Sequence, residues 1–441
     1  MSNQKQAIVI GASMGGLLAA RALADFYQQV TLIERDAFPP IGENRKGVPQ
    51  GRHTHVLLLR GGEILEGFFP GLTADLMAQG APFVNRPERE LSWFDGGGYH
   101  ARFTNEEDRL GALSVSRPLL EGYVRQRLLA LPNVIAIQQC DALGLVSSEQ
   151  GGRVRGVRIL RRVEGSAEEV LEADLVVDAS GRGARAPKWL EEMGYSPPEE
   201  EQVTIHVGYS TRLYRRRLEQ QDGVKVILIA PSPQLKRGGV MLAQEGESWS
   251  LTLIGYRGDY PPSDEAGFLA FAQSLAAPDI YSLIKDAEPL SEIITYRFKA
   301  SLRRRYENLT RFPEGFLVFG DAICSFNPIY GQGMSVAAME ALDLQHELRR
   351  GSEGLWRRFF RRAARSIDNP WQIVVSGDLR FPEAEGKLTP AIRFINAYMA
   401  RLHRAAHRDP VVAKAFNDVA TLLAPPQSLM RPGIMWRVLR G

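Results

Sequence analysis

The feature that most constrains this chain is a thirty-residue pattern at its start. Ala7-Ile8-Val9-Ile10 is a short apolar run of the kind a buried parallel strand shows. It ends in Gly11-Ala12-Ser13-Met14-Gly15-Gly16, and Leu17 to Ala24 continues with helix-forming composition. A second strand, Gln29 to Ile33, then closes on Glu34. Strand, glycine turn, helix, strand and terminal acid make a dinucleotide-binding unit. Gly11 permits the tight turn, the small Ala12 and Ser13 let backbone approach a pyrophosphate, and Gly15 and Gly16 let the helix pack closely. The N–H groups that open the helix face the phosphates, and Glu34 stands where ribose hydroxyls are bound. The middle glycine of G-x-G-x-x-G is replaced by Ser13, and this motif alone leaves NAD and FAD both open.

Two later segments complete the pattern. Asp174-Leu175-Val176-Val177-Asp178 is an apolar strand ending on an acid, followed by Ala179-Ser180-Gly181-Arg182-Gly183. Further on, Gly315 to Phe319 leads into Gly320-Asp321-Ala322 and then Asn327-Pro328-Ile329-Tyr330-Gly331-Gln332-Gly333-Met334, before a helical stretch from Val336. Together the three segments resemble the fingerprints of the flavoprotein aromatic hydroxylases, the family typified by p-hydroxybenzoate hydroxylase, over residues 7 to about 345 and in the family's order. The resemblance implies FAD held noncovalently. It places Asp321 on the ribityl chain, Pro328, Gly331, Gln332, Gly333 and Met334 beside the pyrophosphate and isoalloxazine, and Asp178 and Gly181 in the motif serving FAD and the reduced nicotinamide. The chain departs from the family at Cys324-Ser325, where a histidine is usual, and at Ala179-Ser180 and Ala184.

Arg45-Lys46-Gly47-Val48-Pro49-Gln50-Gly51-Arg52-His53-Thr54-His55 carries five basic or potentially basic side chains, which reads as a clamp for FAD phosphates. With Asp36-Ala37-Phe38-Pro39 and the Phe326 to Gly331 run, its wording is similar to a subgroup of FAD monooxygenases, the polyene epoxidases of polyether biosynthesis related to squalene epoxidase. The resemblance adds Arg35 and Arg117 as cofactor contacts. An arginine at the start of the helix from Ser116 has no helix-dipole reason to be there, which favours a bound anion. Asp141 ends a strand placed to lie along the adenine.

Between the Asp178 and Asp321 motifs the texture changes. Val203–Tyr209, Val224–Ile229, Val240–Gln244 and Trp249–Tyr256 read as strands divided by turn residues. With the hairpin-like segment from Leu91 to His100 they form a candidate substrate sheet whose pocket residues are Trp93, Phe94, His206, Tyr209 and Tyr256. The expected fold is therefore α/β. A Rossmann-like FAD-binding domain with a three-layer sheet takes residues 1–80, 105–200 and 300–350, an antiparallel substrate domain takes 81–104 and 201–299, and 351–441 form a helical C-terminal region whose last segment, Asp409 to Arg440, caps the pocket.

His206, Tyr209 and Tyr330 are the candidates for acid–base work, with His100 a further histidine of this kind, and no nucleophile turn is present. No Cys/His cluster has metal-ligand spacing, so no metal is expected. Leu355 to Arg365 is a basic amphipathic helix, able to lie on an anionic membrane or to pack its aromatic face inward. Net charge is +3, with 54 Lys and Arg interleaved among 51 Asp and Glu, which argues against a nucleic-acid partner. The start of the chain has no signal-peptide pattern, no run reaches the roughly 18 apolar residues of a membrane span, and Cys140 and Cys324 stand alone. These point to the cytoplasm.

The resemblance implies a reaction in which NADPH or NADH reduces FAD and dioxygen forms a C4a-hydroperoxide. Its distal oxygen then passes to a lipophilic alkene or aromatic substrate, by epoxidation or hydroxylation, in secondary metabolism. No second nicotinamide domain is visible, so the reductant binds transiently or a separate flavin reductase supplies reduced flavin. The absence of an evident base leans toward epoxidation. An alkene reductase of the geranylgeranyl reductase type and a nonenzymatic FAD-binding protein are the alternatives. A flavin-dependent halogenase is disfavoured because the W-x-W-x-I-P signature is absent.

Overall fold

A computed structural model describes residues 5–104, 111–148, 151–217 and 223–440. Its nucleotide-binding half is built on a five-stranded parallel sheet. The strands lie in the order Phe316–Val318, Leu175–Asp178, Gln6–Ile10, Gln29–Ile33 and Val134–Ile137. Parallel strands are covered on both faces, and these are mostly apolar for that reason. The helices Met14–Ala24 and Gly333–Leu348 pack together on one face, and an antiparallel sheet of Cys140–Ser147, Val154–Arg161 and Glu168–Glu172 covers the other. One core joins Leu17 and Leu23 of the first helix to Val9, Leu32 and Val176 of the sheet, and to Val157 and Ile159 of the covering strands. These are the three layers that the sequence implies.

The second half is an eight-stranded sheet in which Glu200–Arg215 pairs antiparallel with both Ser248–Tyr256 and Ile294–Arg304. It is mixed rather than wholly antiparallel, because Val226–Ile229 runs parallel to Leu91–Asp95. The hairpin read at Leu91–His100 is present, with Phe94 opposite Tyr99 and Asp95 opposite Gly98.

The C-terminal region is helical: Leu355–Asp378, Pro390–Ala406, Pro410–Ala420 and Pro432–Arg440. Thr389 and Asp409 cap two of these helices, each with proline at the first position, where its missing N–H costs nothing. The last three helices share a small core of Leu402, Ala406, Val412, Val419 and Val438, and are tied to the sheet hairpin where Ala101 N–H donates to the Ala406 carbonyl at 2.7 Å. In the basic helix from Leu355, Trp356, Phe359 and Phe360 are buried, so its aromatic face packs inward and no apolar face is left for a membrane. No helix among the described residues is long and apolar enough to cross a membrane.

Candidate active site

A cavity of about 1200 Å³ runs from the mouth of the parallel sheet to the mixed sheet and on beneath the C-terminal helices. At its nucleotide end the first glycine turn behaves as its sequence requires. Gly11 has φ of +94°, and a Cβ there would lie 2.8 Å from the Ala179 carbonyl oxygen. A Cβ on Gly16 would lie 2.8 Å from the Gly11 carbonyl carbon and closer still to its oxygen, so only glycine lets the helix sit on the strand. Gly16 itself lies behind the wall, while Gly11, Ala12, Ser13, Met14 and Gly15 line the cavity.

Beside this turn lies a buried ionic chain. Glu34 accepts the Ala12 N–H at 2.9 Å and pairs with Arg45 at 2.7 Å. Arg45 pairs with Glu121 at 3.0 Å, and Arg117 binds Glu121 at 2.8 Å and donates to Ser13 Oγ at 3.0 Å. All four charged residues are buried. Burial pulls the Glu121 carboxyl upward, but Arg117 and Arg45 outweigh it and hold it below the usual glutamate range. Ser13, at the position of the missing glycine, is thus the link between the turn and the Arg117 helix.

Across the cavity, Asp321 follows Gly320, whose φ is +67°. Its carboxyl opens on the cavity with protein on its other sides; that enclosure raises its pKa against the fields of Arg117 and Arg182. The Gly320 N–H donates to Glu340 at 2.8 Å, and Glu340 is fully buried on the helix Gly333–Leu348. Pro328, Gly331, Gln332, Gly333 and Met334 all line the cavity, and this helix opens toward it. Tyr330 lines it too, donating to Asp378 at 3.1 Å, while Asp378 also accepts from Asn327 at 2.9 Å. Burial pushes the Asp378 carboxyl up to about 7.

The far end is aromatic. Tyr209 stacks on Tyr296 with ring centres 5.9 Å apart, and Tyr256 on Phe381 at 4.4 Å. Burial raises the Tyr209 and Tyr256 phenols well above 10, so both remain protonated. Trp93, Phe298, Met399 and Phe416 extend the wall under the C-terminal helices.

No protein-family model matches the chain. It is 36% identical over 435 residues to Protein Rv3254 of Mycobacterium tuberculosis, covering 95% of this chain and 89% of that protein. The chain belongs to that protein's family. Among solved structures, it is similar to the flavin-dependent brominase Bmp2 (TM-score 0.68, 14% identity, 98% of this chain and 97% of that one). It is also similar to PqsL of Pseudomonas aeruginosa, described as a probable FAD-dependent monooxygenase (TM-score 0.64, 16% identity, 86% and 99%). The myxobacterial chondrochloren halogenase CndH is a third neighbour (TM-score 0.65, 18% identity, 98% and 97%). At these identities the likeness establishes the fold.

Several expected site residues stand elsewhere. Of the basic run, Arg45, His53 and His55 line the cavity. Arg45 is consumed by Glu34 and Glu121, Lys46 and Arg52 are exposed, and burial pushes the His53 and His55 imidazoles down to about 4. Arg35 does line the cavity, as does Asp141, whose carboxylate grips Arg162 through two 2.7 Å bonds. Arg117 has its own reason to begin a helix, because Glu121 one turn on neutralises it. Asp178 is buried behind the wall and accepts the Ser180 and Ala186 N–H groups, so it shapes the turn while Gly181 faces the cavity. His206 sits outside the cavity lining at a bulge between Thr204 and Val207, with φ of +52°. Its odd spacing from Tyr209 already sets the two on opposite faces of a strand. Phe94 packs against Tyr99 on the other face of the sheet, one residue out of phase with Trp93. Glu121, Asp378, Glu340 and His403 are the participants that sequence reading missed. Only Glu121 left a signal, as the i+4 partner of Arg117.

Proposed function

We propose that this protein is an FAD-dependent monooxygenase that inserts oxygen from dioxygen into a lipophilic alkene or aromatic compound. The observation that carries the reading is the single cavity joining the dinucleotide crevice to the aromatic chamber. The residues present fit the cofactor. The glycine turn has no room for a Cβ, the Arg35 and Arg117 guanidiniums line the pyrophosphate end, and the Asp321 carboxyl opens on the cavity where a ribityl chain would pass. In this reading Gly11 to Gly15 and Glu34 hold the adenosine and pyrophosphate, Arg117 and Asp321 flank the chain, and Pro328 to Met334 face the ring. The fold neighbours described as a flavin-dependent brominase and an FAD-dependent monooxygenase support the assignment.

Bound FAD, reduced by NADPH, NADH or a partner flavin reductase, would supply an electrophilic oxygen after meeting dioxygen. The chain's own residues exclude water and orient the acceptor. Trp93, Tyr256, Phe298 and Phe416 wall an apolar chamber, and the Tyr209 and Tyr256 hydroxyls, held protonated and without a partner among the described residues, are left to donate to a bound acceptor. No protein nucleophile is needed.

The test has two parts. Asp321→Ala should strip FAD from the purified protein; full retention of tightly bound flavin would refute the cofactor assignment. Then the reduced holoenzyme is mixed with oxygen-18 gas and a panel of polyenes and phenols, with bromide and chloride present. Label in the product supports the proposal. Saturated product without oxygen uptake makes the protein an alkene reductase, halogenated product makes it a halogenase, and neither leaves an FAD-binding protein.

A further inference from the structure

The far wall of the chamber holds a cluster that the flavin reading does not use. Asp95 ends the strand Leu91–Asp95, His100 follows the hairpin turn, and His403 lies in the last turn of the helix Pro390–Ala406. One ligand atom from each of these three residues lies within 4.8 Å of the other two. Asp95 Oδ2 and His403 Nδ1 are 3.2 Å apart. Asp95 and His403 are 6% and 4% exposed, and both line the cavity.

The cluster is built rather than incidental. Gly96 and Gly97 have φ of +60° and +89°, turning the hairpin tightly. A Cβ on Gly98 would lie 2.6 Å from His407 Nδ1, and one on Gly96 3.2 Å from His403 Cβ, so the glycines admit the helix. His407 Nε2 lies 2.8 Å from the Asp95 carbonyl oxygen and braces the strand end. Trp93 stacks on His100 at 5.1 Å, and Phe416 meets His403 edge-on at 4.8 Å, giving an apolar surround.

Within that surround the polar accounting does not close. His100 Nε2 and His403 Nδ1 are buried without a hydrogen-bond partner among the described residues. A proton on His403 would satisfy the Asp95 pair and leave His100 Nε2 orphaned. A dication would satisfy all three groups at once.

We propose that Asp95, His100 and His403 form a divalent transition-metal site of the two-histidine, one-carboxylate kind, with an open position toward the chamber. Neutral imidazole and carboxylate suit zinc and its first-row neighbours. At metal–ligand bonds of about 2.0–2.1 Å, tetrahedral ligand atoms stand about 3.4 Å apart. The Asp95–His403 pair already meets that spacing, and His100 closes the rest by rotating inward. Arg380, whose field reaches His403, favours an anionic oxygen as the fourth ligand. The site does not depend on the flavin assignment.

Metal-stripped protein is titrated with Co2+, read by the visible d–d band of a low-symmetry site, and competed with Zn2+. The expected result is one equivalent bound per chain, displaced by Zn2+, retained in His206→Gln and lost in both His100→Gln and His403→Gln. Wild-type protein that binds no stoichiometric Co2+, or a band surviving in both histidine variants, overturns the proposal. Should the variants fail to fold by circular dichroism, the wild type decides alone. Zn2+ must then raise its unfolding temperature in a saturable way, and no rise counts against the site.

Discussion

Glu340 offers the sharpest physical test of how the Asp321 turn is supported. Its side chain is fully buried, one oxygen accepts the Gly320 N–H, and the other has no partner among the described residues. Burial raises the carboxyl from 4.5 to about 8, with Asp343 and Asp321 adding to the rise and Gly320 and Arg303 opposing it. Below pH 4.5 both folded and unfolded chains carry the proton, and the group costs nothing. Between pH 4.5 and 8 the unfolded chain has lost the proton and the folded chain keeps it, so stability falls as pH rises. One proton corresponds to about 1.4 kcal/mol per pH unit, giving a ceiling of about 3 kcal/mol between pH 5 and 7.5. Glu340→Gln keeps an acceptor for Gly320 and removes the ionisation. Urea unfolding of both proteins at pH 5 and 7.5 gives the double difference. The variant should lose less stability than wild type over this interval, by a large part of that 3 kcal/mol. Identical pH dependence in the two proteins would refute the argument, whatever their absolute stabilities.

Three other perturbations follow from the same geometry. Gly16→Ala sets a methyl group against the Gly11 carbonyl, backbone against backbone, and should cost at least the upper part of the roughly 1–3 kcal/mol typical of overpacking; an unfolding midpoint equal to wild type would contradict it. Arg117→Ala strands half of the Glu121 carboxylate, costing roughly 3–5 kcal/mol, and Arg117→Ala combined with Glu121→Ala should recover much of the loss in chemical denaturation. A Cβ on Gly377 would lie 2.9 Å from Tyr330 Cζ and nearer its hydroxyl, so Gly377→Ala should be less damaging in a Tyr330→Phe background. A coupling of about 0.5–3 kcal/mol is expected in the double-mutant cycle, and strict additivity would refute the contact.

Where local chemistry dictated local form, the residues were legible in advance. Gly11 and Gly16 could be assigned because a turn and a helix–strand contact each leave no room for a side chain. Pro328 to Met334 formed a contiguous glycine-bearing turn whose residues all line the cavity. The role of the basic run was not legible, for the converse reason. Charge type was visible, but whether a guanidinium meets phosphate or carboxylate depends on what folds beside it, and Arg45 met Glu34 and Glu121. His206 stands outside the lining because its spacing from Tyr209 is odd, and alternation along a strand puts such positions on opposite faces.

The sequence by itself determined the nucleotide-binding unit, the order of its three motifs, the hairpin at Leu91 and the helical tail, since these rest on periodicity and on glycine and proline geometry within a few residues. Tertiary structure alone decided which charges neutralise one another, and that Asp378 stands behind Tyr330. It also decided that His403 comes to rest beside Asp95 and His100 across some three hundred residues of chain. Such meetings are fixed by how whole layers pack, and no local pattern encodes them.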